Sequence, residues 1–140
     1  MHILMLTLVA AHTYTGVGTQ YTEKEHRGNP LYCDRGDGLI YDRSIGPWVA
    51  FPKEAFESQG GEPPLVECGD WVTVNPVGWP EFSARVLDAG ELSTRTFRGG
   101  QPIVVDVPEY WATWTQPVPY VSVTNWSALE RECRERGWCD

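Results

Sequence analysis

Basic residues are scarce in this chain of 140: Lys and Arg number 11 against 19 Asp and Glu, a formal net charge of -8. A protein that grips duplex nucleic acid carries a basic stripe. Here the basic residues are scattered and cluster only in an acid-rich tail, which argues against a nucleic-acid partner. The same balance opposes binding to an anionic membrane surface. Long apolar runs are also missing. ILMLTLVAA, at residues 3–11, is too short to span a bilayer. No Lys or Arg precedes it and Lys24 is the first, so it is a poor cleaved leader; it flows into AHTYTGV and reads as strand. Histidine is limited to His2, His12 and His26, and no Ser or Cys sits in a nucleophile context, so Ser-His-Asp and Cys-His chemistry lack support. Gly99-Gly100 precedes a strand pattern instead of a helix, which excludes a phosphate-cradling loop.

What is present fits one domain with a single core: 41% of residues are apolar. Residues 3 to 15 read as one long strand, followed by an exposed loop from Gly16 through TEKEHRGNP. Asp37-Gly38 suggests a turn into a short strand at Leu39–Tyr41. Trp48–Phe51 is a strand stopped by Pro52, and Lys53–Ser58 has room for one helical turn. Trp71–Val74, Phe82–Leu87 and Ile103–Val107 are strands separated by Gly and Pro. Pro108 then suits the first position of a short helix carrying Tyr110, Trp111 and Trp114, and Tyr120–Thr124 supplies a last strand. In the tail, Ser127 with Glu130 makes a capping box, Leu129 and Cys133 share a face, and Gly137 stops the helix.

Two acids stand inside strand patterns, where propensity does not favour them: Asp88 closing ARVLD, and Asp106 within IVVDV. Asp88 is followed by Ala-Gly, so its carboxylate is expected where the strand breaks. The 7 Trp and 6 Tyr offer faces for core packing or for stacking on a sugar ring. Cys33, Cys68, Cys133 and Cys139 have no pair at two-residue spacing and no nearby His, which argues against zinc. Disulfides and free thiols both remain open, and Cys133 with Cys139 could bridge locally.

The order CGDWVTV, ARVLDAG, a Gly-rich loop and IVVDV resembles the second half of a double-psi β-barrel, as in rare lipoprotein A-like, expansin, barwin and 3D-domain proteins. Upstream, AHTYTGVG, DGLIYD and WVAFP resemble the first half, so the likeness covers residues 8 to 124. It implies a mainly β fold: a six-stranded double-psi barrel over 1–124, with a short inserted helix and a capping helix over 125–140. It also implies a Cys33–Cys68 bridge, and disulfides would place the protein outside the cell, on a cell surface or on a virus particle.

For function, the resemblance implies a module that binds or cleaves a cell-wall glycan. Its lytic members break peptidoglycan without water, one carboxyl protonating the leaving oxygen and then taking the sugar's own hydroxyl proton. Asp88 and Asp106 match the pattern's acids, in a groove lined by Tyr41, Trp48, Trp71 and Trp79; no cofactor or metal is implied. The chain departs from the pattern near Phe51, where an acid and a histidine are absent, and at Glu91, an extra acid beside Asp88. The competing expectation gives Asp88 and Asp106 a structural role, bonding backbone N–H groups in a non-enzymatic barrel. Its partners would be proteins in an assembly, copies of itself included.

Overall fold

Short β-branched side chains at alternate positions set the strands, and valine dominates the interior they enclose. The computed structural model describes residues 7–10, 12–58, 60–90, 96–97 and 101–139. Its strands are β1 (Thr7–Ala10), β2 (Thr13–Tyr21), β3 (Trp48–Pro52), β4 (Trp71–Pro76) and β5 (Phe82–Gly90). After these come β6 (Thr96–Phe97), β7 (Gln101–Pro108) and β8 (Val118–Asn125). Among the described residues the helices are α1 (Glu23–His26) and α2 (Trp126–Arg136), with single 3-10 turns at Arg43–Ile45 and Lys53–Phe56. The fold is therefore mainly β, in one sheet.

The pairing runs in a ring. From β2 it passes antiparallel to β8, β4 and β5, parallel to β3, antiparallel to β7, and parallel back to β2. β1 hangs on β2, and β6 on β7. The larger core is lined by Val49, Phe51, Val72, Val86, Val104 and Val121, with Trp114 among them. β3 is buried along its whole length because both its faces are covered. Val49 and Phe51 enter the larger core, while Trp48 packs with Leu31, Tyr41 and Leu87 under the loop that follows β2.

Several elements differ from the sequence reading. The expected single strand over 3–15 is a hairpin, with Thr7 opposite Thr15, because the backbone reverses at His12, whose φ is 58°; residues 3–6 and 11 lie outside the described residues. The loop expected from Gly16 starts later, since β2 continues to Tyr21. Glycine is needed there for space: a Cβ on Gly18 would lie 2.6 Å from Val121 Cγ2 and 3.2 Å from Trp114. Gly18→Ala is expected to cost about 1–3 kcal/mol through overpacking, read as a lower midpoint in a denaturant melt; an unchanged midpoint would refute the close fit.

Leu39–Tyr41 makes only an isolated bridge, Ile40 to Pro30, instead of a strand. After β7 the expected helix is a single turn, Trp111 and Ala112 donating back to Pro108, because Thr113 bonds Pro80 and Trp114 turns into the core. The short helix is instead α1, in the loop after β2. The cap of α2 is Asn125, whose Oδ1 accepts from Ala128 N–H; Ser127 is taken by the N–H of Trp71, so the Ser127–Glu130 box does not form. Gly137 ends the helix in the left-handed region as expected, and no helix among the described residues is long and apolar enough to cross a membrane.

Candidate functional site

Strand register brings the two acids to one level. Thr19 of β2 pairs with Asp106 of β7, Asp106 with Ala50 of β3, and Ala50 with Asp88 of β5. Two strand spacings put the acids about 10 Å apart at the backbone. The methyl of Ala50 between them leaves a floor, and the loop after β2 raises a wall beside it. The resulting cleft has a volume of about 610 Å³ and is lined by Asp88, Asp106, Thr19, Tyr21, His26 and Glu25, among others. The strand does not break at Asp88, as its Ala-Gly neighbours suggested; β5 continues to Gly90, and the carboxylate leaves from within the strand.

Asp88 Oδ1 accepts the backbone N–H of Tyr32 at 2.8 Å, and Oδ2 lies 3.4 Å from the donating hydroxyl of Tyr21. Burial pushes the Asp88 carboxyl above the usual carboxylate range, although these bonds and the nearby His26 pull the other way. Asp106 Oδ1 accepts from the Thr19 hydroxyl at 2.9 Å. The Tyr21 hydroxyl is pushed up by burial and by both acids, so it stays a proton donor. The His26 ring meets Tyr21 edge-on, 5.1 Å between centres, and lies 5.9 Å from Tyr41.

The wall is held in place by covalent and backbone links. Cys33 bridges Cys68, and its N–H donates to Leu87 O at 3.1 Å. Cys133 bridges Cys139, and no described cysteine is free. Both pairings match the expectation. No family model matches the chain. Comparison with curated proteins finds no match either.

Of the expected aromatic residues, Tyr41 lines the cleft, although only 1% of its surface is exposed. Trp48 lies wholly buried in the cluster that also holds Tyr41. Trp79 packs against the larger core, and Trp71 is exposed on β4; neither lines the cleft. Sequence reasoning missed Thr19, Tyr21, His26 and Tyr32. The register that aligns Thr19 with Asp106 leaves no local trace, and His26 stands in what reads as an ordinary polar loop. Glu91 and Gly99-Gly100 lie outside the described residues, as does His2. Among the described residues no group of His, Cys, Asp and Glu is placed to hold a metal. A part-buried acid with a raised pKa, beside a tyrosine donor and a histidine, is a candidate proton donor in acid–base chemistry.

Proposed function

We propose that the ring of pairings is a closed double-psi β-barrel and that the cleft at Asp88 binds and cleaves a cell-wall glycan, peptidoglycan. The barrel reading is supported by symmetry in the pairings. Taking β2, β3, β4, β5, β7 and β8 in chain order, a shift of three places exchanges β2–β8 with β4–β5 and β3–β5 with β2–β7, maps β4–β8 and β3–β7 onto themselves, and keeps every sense. A chain made of two alike, interlocked halves has that property.

The observation that carries the glycan reading is Asp88, an acid whose pKa burial raises, lining a cleft of about 610 Å³. Protonated Asp88 gives its proton to the glycosidic oxygen as the C–O bond breaks. As carboxylate it then takes the proton from the substrate's own hydroxyl, whose oxygen closes on the anomeric carbon. No water is consumed, and Asp88 ends protonated. Tyr21 and the Tyr32 N–H hold the carboxylate form between the two transfers. The two disulfides fit an oxidising setting such as the cell exterior.

Asp88→Asn tests this against purified peptidoglycan. Wild type should release soluble fragments, and the variant should be slower by a factor of 10² or more, the usual share of a general acid or base. Stability should move the other way. A raised carboxyl pKa means that the native state binds protons more tightly than the unfolded chain, so Asp88 weakens the fold as pH rises through its native pKa. An uncharged amide at this position removes that penalty, and the melting midpoint of Asp88→Asn at neutral pH should be unchanged or higher. A wild type that releases nothing would overturn the glycan reading.

One contact favours a second reading, a non-enzymatic structural barrel: the Tyr32 N–H bond uses Asp88 to pin a loop. In that case Asp88→Asn would lower the melting midpoint and there would be no cleavage to lose.

A further inference from the structure

We infer that the outward face of β4, with β5 and β8 beside it, is a second polysaccharide surface, separate from the cleft and able to hold a neutral β-linked chain. Trp71 is 47% exposed and Trp126 is 53% exposed, high values for indoles already packed on a sheet. Neither is loose. The Arg85 guanidinium sits 5.1 Å from the Trp71 ring centre and backs one face of it. Trp126 Nε1 donates to Thr73 Oγ1 at 2.7 Å, which lays its ring over β4. Trp71 and Thr73 are two positions apart on one strand, so both side chains point the same way. Register then sets Ser83 beside Thr73 on β5, and Asn75 beside Ser122 on β8.

The chemistry of this face selects its occupant. A pyranose in a β-linked chain shows apolar C–H faces and a rim of hydroxyls. The indoles suit the faces, and the hydroxyl and amide side chains beside them suit the rim. None of these positions is acidic, although the chain carries a net charge of -8, and Arg85 is the one charged residue among them, so the face lacks the negative charge of the rest of the molecule. A second copy of the chain fits poorly. The indoles are bordered by polar side chains instead of forming the dry centre of a protein interface, and two chains of -8 repel. None of these residues lines the Asp88 cleft. The inference therefore stands whether or not Asp88 is catalytic.

Depletion of the protein from solution by insoluble chitin and by cellulose tests the surface. Wild type should leave solution with at least one of them. Trp71→Ala and Trp126→Ala should each bind about tenfold more weakly, the loss of one stacking contact. Trp138→Ala removes an indole that is 67% exposed beyond the end of α2, and should bind like wild type. Melting curves check that each variant folds. Titrating wild type with chitin and cellulose hexasaccharides, read by tryptophan fluorescence, needs no variant. Wild type that stays in solution and shows no fluorescence change overturns the inference, as does equal loss in Trp138→Ala. A wild-type dimer that Trp126→Ala makes monomeric would give the face to a second copy and also overturn it.

Discussion

Replacing Cys33 and Cys68 together with alanine is expected to lower stability by about 4 kcal/mol, the loop-closure entropy for a bridge across roughly 35 residues. The enclosed stretch explains the size of the effect. It carries all of β3, both 3-10 turns and the Tyr41–Trp48 cluster, so freeing it in the unfolded chain enlarges that ensemble greatly. At roughly 3 °C per kcal/mol for a domain of this size, the thermal midpoint should fall by about 12 °C. The site should respond as well. Without the bridge, the turn carrying Tyr32 is held by the burial of Leu31 and by the N–H bonds from Cys33 to Leu87 O and from Tyr32 to Asp88. The Tyr32 bond holds the Asp88 pKa down, so weakening it should raise that pKa further. The measurements are a guanidinium melt and a thermal melt of the variant beside wild type with and without reductant. Coincident midpoints for all three would show that the bridge contributes nothing.

The strands were legible because burial demands a pattern the sequence must carry. WVAFP, ARVLD and IVVDV are apolar wherever a face is covered, and the acids of the last two, Asp88 and Asp106, stood out against that background. The disulfide of the cleft wall came from a resemblance, since four cysteines alone fix no connectivity. What stayed hidden depends on register and on distant partners. Thr19 and Asp106 meet across strands 87 residues apart in sequence. The need for glycine at position 18 is set by Val121 and Trp114, far along the chain, so it reads locally as a loop residue. Trp71 shows the same limit from the other side. Its residue type suggested a binding role, but only the pairing of β4 with β8 and the start of α2 shows that it stands with Trp126, away from the cleft.

Asp70 is the clearest case of a residue whose importance the sequence conceals, because Gly-Asp looks like a turn. Only 4% exposed, it ties the start of β4 to the end of β8 and to α2. Its Oδ1 accepts from Arg131 at 2.6 Å, and its Oδ2 accepts from Arg131, Asn125 and the Glu67 N–H, each at 2.9 Å. Burial alone would raise its pKa, but bonds from Arg131, Asn125 and the Glu67 N–H outweigh that and hold the carboxyl below its usual range. Asp70→Ala removes the shared acceptor of four donors and leaves the buried Asn125 amide N–H group with Leu65 O as its remaining acceptor. Arg131 is 40% exposed and keeps Glu67, so the cost should lie near the low end for a broken buried pair, about 3 kcal/mol.

The pH dependence follows from the sign of the shift. A depressed native pKa means that the unfolded chain binds the proton more tightly, so the stabilisation is whole above about pH 4 and fades as pH falls through the native value. Asp88, with its raised pKa, acts in the opposite sense and at higher pH. Wild type should therefore lose stability steeply in acid, while Asp70→Ala, already weakened at neutral pH, should lose less. Denaturant melts at a series of pH values would show the two curves converging below about pH 4; parallel curves would mean that Asp70 is not held as an ion in the folded chain.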